Sequence, residues 1–151
     1  MGENILIIKL GAIGDVLRTT SVLQGIRQRY PESSISWITK QDASELLKNN
    51  QLIDNILTIE EDTDKLKKNY DIIINLDEDE KACLLASKLN GKIIGYFWHE
   101  GKVKPTKTAE EWHRMSALGP KPQNDILKKQ NKKTYQQHML QILGINTDRY
   151  E

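Results

Sequence analysis

With Cys83 as its single cysteine in 151 residues, the chain has no second thiol for an internal disulfide and no cysteine pair to build a zinc centre. Its three histidines, His99, His113 and His138, are too scattered for a zinc pattern. The neighbours of Cys83 are Ala82, Leu84 and Leu85, which predicts a buried, unreactive thiol. No apolar run approaches the roughly 20 residues that a membrane span requires. The start also lacks the charged-then-apolar layout of a secretory signal, so a cytoplasmic protein is expected. Ser21 and Ser116 have no evident base partner, which leaves a hydrolase reading without support. Repeats and low-complexity tracts are missing as well.

Net charge is nearly absent at +1, yet it is unevenly spread. Residues 100–133 carry nine Lys/Arg against four acids. Such a face suits an anionic partner such as a phosphorylated glycolipid or a membrane surface, and equally an ordinary solvated lysine face. The stretch holds Trp112 alone rather than a series of interleaved aromatics and matches no nucleic-acid-binding motif, so no nucleic acid partner is expected.

What is present is a soluble-globular composition, 38% hydrophobic and 28% charged, in a chain long enough for one domain with its own core. Strand-like apolar runs at 5–9, 35–39, 55–59, 71–76 and 92–97 alternate with helical patterns at 15–29, 43–49, 63–68 and 79–89. That alternation predicts an α/β fold, a Rossmann-like parallel sheet of about five strands in the order 3-2-1-4-5 with helices on both faces. The first helix should stop at Pro31. Residues 98–123 read as a basic loop broken by Pro105, Gly119, Pro120 and Pro122. A terminal helix over 124–143 is expected to begin at Asn124 or Asp125 and to end at Gly144, a C-cap glycine. Trp98, Trp112 and Tyr96 offer faces for sugar stacking or for packing, and packing is the expectation.

The densest signal is the start, where Asn4 to Leu10 run into Gly11-Ala12-Ile13-Gly14-Asp15-Val16. A strand, a turn with two glycines and a helix start place backbone N–H groups and a carboxylate at the carboxyl end of a buried strand, where open α/β sheets bind ligands. The glycines are expected to permit a sharp turn and close approach of a ligand to the backbone of Gly11, Ala12 and Gly14. The spacing is neither the G-x-G-x-x-G dinucleotide fingerprint nor a Walker loop. Asp15 then has two readings, a helix N-cap or a catalytic carboxylate. In the predicted order the crevice opens between residues 11–15 and 77–80.

The string ILIIKLGAIGDVLRTT over 5–20, followed by Leu23, Ile26, Arg27, Tyr30-Pro31, Ile35 and Trp37, resembles the amino-terminal half of glycosyltransferase family 9, the ADP-heptose:lipopolysaccharide heptosyltransferases. Ile53-Asp54, Tyr70-Asp71, Ile94-Gly95-Tyr96, Trp112, Met115-Ser116 and residues 131–135 extend the resemblance over nearly the whole chain, with GAIGDV its most specific part. The resemblance implies the acceptor-side half of a two-domain GT-B enzyme that works without a metal or other cofactor. Its acceptor would be a lipid-linked saccharide of the lipopolysaccharide core. ADP-heptose would be held mainly by a second, carboxyl-terminal domain, expected to be missing from residues 1–151. It also implies action at the inner face of the inner membrane and assigns Asp15 the role of general base.

Lys9 and Arg18 flank the turn and are candidates to neutralise phosphate or sugar-acid groups, and Asp77 at the crevice is a candidate acceptor contact. Two alternatives stay open. One is a stand-alone domain that binds a phosphorylated ligand at the glycine turn. The other is a metal-dependent nucleotide-sugar transferase using Asp77 and Asp79, since clustered oxygens suit hard cations while acids also favour a helix start.

Overall fold

The computed structural model describes residues 2–66, 69–115, 130–131 and 133–145. Strand β1 (Asn4–Ile8) shows how the sequence builds the centre. Every second side chain faces the same way, so Ile5 and Ile7 enter one apolar cluster while Leu6 and Ile8 enter another, and all four are fully buried. β1 pairs in parallel with β2 (Ser34–Thr39) on one side and β4 (Asn69–Asn75) on the other, setting Ile5 opposite both Ile35 and Ile72. β3 (Asn55–Thr58), β5 (Asn90–His99) and β6 (Lys102–Pro105) complete a six-stranded sheet of order β3-β2-β1-β4-β5-β6.

One layer holds α1 (Ile13–Thr19), α2 (Leu23–Arg29), α3 (Gln41–Leu47) and α6 (Tyr135–Ile142), whose buried residues join the cluster of Ile5, Ile7 and Trp37. α4 (Glu80–Lys88) packs Ala82, Leu85 and Ala86 against Leu6, Ile8 and Ile73 on the opposite face. The expected five-strand order is therefore present, and a sixth strand extends it.

The differences from the sequence reading have local causes. β6 lies inside the predicted loop and runs antiparallel to β5 through a two-residue turn, Glu100-Gly101, with φ of 51° and 75°. Positive φ at both turn positions matches the twist of a hairpin. Pro105 is tolerated because β6 is an edge. α5 (Glu110–Met115) also falls in that predicted loop. The first long helix is interrupted by a 3₁₀ turn at Thr20–Val22. There Thr19 Oγ1 donates to the Asp15 carbonyl and Thr20 Oγ1 to that of Leu17, the back-bonding that bends helices. The predicted helix over 63–68 is a 3₁₀ turn at Thr63–Lys65, with residues 67–68 outside the described set.

The predicted terminal-helix start at Asn124 or Asp125 also lies outside the described residues. α6 itself opens on a capping box formed by Thr134 and Gln137. It ends as expected at Gly144, φ 72°, where Gly144 and Ile145 amides donate back to Gln141 and Leu140. Gly95 is the glycine that the sheet most needs. Its φ is 109°, and a Cβ there would sit 1.9 Å from the Asn75 carbonyl oxygen of the neighbouring strand.

Candidate functional site

β1 and β4 are neighbours whose following helices lie on opposite faces, so their carboxyl ends open the crevice that the strand order predicts. Its two lips are the turns after β1 and after β4. The Asp77 carboxylate stitches them together. One oxygen, Oδ2, accepts from both the Leu10 and Gly11 amides at 2.8 Å, while Oδ1 accepts from the Asp79 amide at 3.0 Å. Only 7% of Asp77 is exposed. Below it, fully buried Asn75 accepts from the Asp77 amide and donates to the Tyr96 carbonyl.

Both aspartates of this lip accept from backbone amides. Asp77 faces inward onto backbone amides, because the buried Leu10 N–H and the part-buried Gly11 N–H left unpaired would cost more than a carboxylate accepting them, and it is a positioning residue for the turn. Asp79 caps α4 by accepting from the Lys81 amide at 3.1 Å. Among the described residues no group of three His, Cys, Asp or Glu side chains is arranged to hold a metal. Both Asp77 oxygens and Asp79 Oδ2 accept from backbone amides of the loop and helix start.

The glycines act differently from expectation too. Neither Gly11 nor Gly14 has positive φ, and a Cβ at Gly11 would meet Asp77 Oδ2 only at 3.6 Å, an ordinary contact. A Cβ at Gly14 would meet nothing within 4 Å. The turn thus needs no glycine for its backbone shape, and Gly14 leaves open space at the start of α1. Ala12, in extended conformation, is the N-cap, and its side chain makes no cap hydrogen bond. The amides opening α1 have no partner within the helix.

Asp15 is therefore not the cap. It lies in the first turn of α1 with 47% of its side chain exposed, and Oδ1 takes a 3.1 Å contact from Arg18 Nη2. Arg18, 58% exposed, lies over the ring of Tyr135 from α6, with 4.0 Å from guanidinium carbon to ring centroid. The Tyr135 hydroxyl meets Thr19 Oγ1 at 2.7 Å. Lys9 Nζ donates to the Leu76 carbonyl at 3.1 Å, spanning the crevice floor from β1 to β4. Lys9, Gly11 and Asp77 thus meet where β1 and β4 end, while Ala12, Gly14, Asp15 and Arg18 follow at the cap and in the first turns of α1. Ile13 and Leu17, 40% and 44% exposed, add an apolar strip beside Asp15.

Sequence reasoning did not pair Glu78 with His113, which meet at the same end of the sheet with Nδ1 to Oε2 at 3.9 Å. The His113 ring lies 5.8 Å from that of Tyr96. Burial, with the adjacent Glu78 charge, pushes the Tyr96 phenol well above its usual range. The histidine's only sequence signal is its aromatic neighbour Trp112. Tyr96 is fully buried, and Trp98 and Trp112 pack partly buried against the main core, in line with the packing reading. Burial also pushes the Cys83 thiol up to about 12, which keeps it protonated and inert as expected.

On the basic stretch, Lys102, Lys104 and Lys107 are exposed, Arg114 pairs with Glu110 and Lys133 with Glu111. Residues 121, 128, 129 and 132 lie outside the described set. A concavity of about 330 Å³ lined by Arg29, Lys92, Lys107 and Leu143 lies away from the crevice. Among the described residues no helix is long and apolar enough to cross a membrane.

No family model matches the chain. Over 103 residues it is 26% identical to lipopolysaccharide heptosyltransferase 1 of Campylobacter coli, a match that spans 61% of this chain and 30% of that protein. A glycosyltransferase family 9 structure from Veillonella parvula superposes with a TM-score of 0.59 at 21% identity, covering 89% of this chain and 43% of the other. The E. coli heptosyltransferase WaaC with ADP-2-deoxy-2-fluoro heptose gives a TM-score of 0.64 at 15% identity, covering 98% and 50%. The chain spans half or less of the length of each of these relatives. It is similar in sequence and in structure to family 9 heptosyltransferases, and its fold is that of the amino-terminal half of the GT-B members.

Proposed function

We propose that this chain is the acceptor-side half of an inverting glycosyltransferase that moves heptose from ADP-heptose onto a lipopolysaccharide saccharide, with Asp15 as general base. The observation that carries this reading is the half-exposed Asp15 carboxylate on the rim of the β1/β4 crevice, outside any capping role. In the proposed step Asp15 takes the proton of an acceptor hydroxyl while that oxygen forms a bond to the anomeric carbon. On the opposite face the bond to the nucleotide diphosphate breaks, and ADP leaves with the electron pair. One displacement inverts the anomeric centre, and no covalent enzyme intermediate forms. Lys9 and Arg18 supply positive charge near the acceptor.

A base alone does not stabilise a departing diphosphate, so donor binding is assigned to a second α/β half across the cleft. The work would take place at the inner face of the inner membrane, with exposed Lys102, Lys104 and Lys107 available to anionic headgroups. The test is Asp15→Asn in a protein joining this half to its donor half. Turnover should fall by roughly a hundredfold or more with the fold retained, the usual scale for a lost general base. Near-normal turnover overturns the reading, as does robust transfer by residues 1–151 alone.

A further inference from the structure

The Arg18 guanidinium is held from two sides. It touches Asp15 Oδ1 at 3.1 Å and lies 4.0 Å above the Tyr135 ring, contributed by a helix 117 positions further along the chain. The Tyr135 hydroxyl contacts Thr19 Oγ1, the same hydroxyl that donates to the Asp15 carbonyl. Tyr135 in turn stands against Trp112, edge to face with ring centroids 5.6 Å apart, so the ring is fixed from behind. The ion pair itself is mostly solvent-exposed, and such pairs add little to stability. An exposed pair on a rigid aromatic platform is easily exchanged for a stronger one, because a guanidinium binds a phosphate in a two-pronged geometry.

We propose that Tyr135 is a positioning residue that parks Arg18 on the Asp15 carboxylate, and that an oxyanion on the bound saccharide draws the guanidinium away and so releases the base. The inference rests on Asp15 being that base. It adds a selection step: a neutral sugar leaves Asp15 paired, whereas a sugar carrying phosphate frees it. The platform keeps Arg18 at the rim in both arrangements, which is why an aromatic ring is needed and its hydroxyl is secondary.

The experiment is an NMR titration of the full 151-residue chain, following the Asp15 side-chain carboxyl carbon. Glucose 6-phosphate should move that resonance toward its position in Arg18→Gln, and glucose should not. Tyr135→Leu should raise the half-saturation concentration at least fivefold, while Tyr135→Phe stays within twofold of the parent. Arg18→Lys, a surface change that keeps the charge and loses the flat stacking face, should behave like Tyr135→Leu and covers the case in which that variant fails to fold. A carboxyl resonance that ignores the sugar phosphate overturns the proposal, and so does an unchanged half-saturation in Arg18→Lys. ADP acting more tightly than the sugar phosphate assigns the oxyanion to the donor and overturns the acceptor-side role. Turnover that survives Asp15→Asn would defeat the base assignment alone, since the titration reads Arg18 movement independently of activity.

Discussion

Two aspartates share one crevice and live in opposite circumstances. Asp77 is buried, with both carboxylate oxygens accepting from backbone amides, whereas Asp15 is half exposed and pairs with an arginine that solvent also reaches. Each stands just past the carboxyl end of a parallel strand, and each was a candidate for binding or catalysis in the sequence. The contrast teaches that a carboxylate committed to amides shapes a site, while one left on the rim remains available to react.

The largest test of this contrast is to remove each carboxylate in turn. Asp77→Ala leaves buried amides without an acceptor and should cost about 3 kcal/mol, roughly 6 to 12 °C in Tm for a chain of this size. Asp15→Ala should change stability by no more than about 0.5 kcal/mol, as surface substitutions do. Urea unfolding followed by circular dichroism measures both, and equal losses would erase the distinction. Next in size, Thr19→Val removes the hydroxyl shared by Asp15 and Tyr135 and should cost about 1 kcal/mol in the same assay. An unchanged midpoint would show that α6 docks without that hydroxyl.

The smallest effect concerns a third carboxylate, Asp54, at the β2/β3 side of the sheet. Burial raises its pKa, but the Ile35 amide and Arg27 more than offset this and hold it below the usual carboxylate range. A folded pKa below the unfolded one means that the stabilisation is present at neutral pH and is lost as pH falls below 3.8 through the folded value. Asp54→Asn should therefore flatten the difference between urea midpoints at pH 7 and pH 3. A parent-like difference in the variant would place Asp54 with Asp15 as a carboxylate of no structural weight. Arg27 shows why Asp54 is held, since its guanidinium also donates to the Ser33 and Leu52 carbonyls.

Much of this was legible in the sequence because its signals are periodic and local. The unbroken apolar run over residues 5–8 marks β1 as a strand buried on both faces, the order of the first five strands follows from right-handed crossovers, and Gly144 marks the end of α6. Other features depend on contacts between distant residues. Pro105 reads as a breaker until β6 is known to be an edge, and Glu100-Gly101 lacks the Asn-Gly signature of a tight hairpin. Thr134 and Gln137 do spell a capping box, but Asn124 and Asp125 offer an equally good start. In the candidate site, the place of Asp15 in the first turn of a helix after a strand and a glycine turn was legible. The inward facing of Asp77, the arrival of Tyr135 on Arg18 and the meeting of Glu78 with His113 need partners 35 to 117 positions apart and leave no mark on neighbouring residues.

The outermost strand carries a consequence for solubility. β6 alternates exposed Lys102 and Lys104 with half-buried Val103 and closes on Pro105, which has no amide hydrogen to offer. Like charges and a missing donor discourage a second sheet from docking there, so this border resists fibril growth. The opposite border, β3, is only four residues long and gives an incoming strand little to grip. Both margins thus disfavour strand addition, by chemistry at one and by brevity at the other.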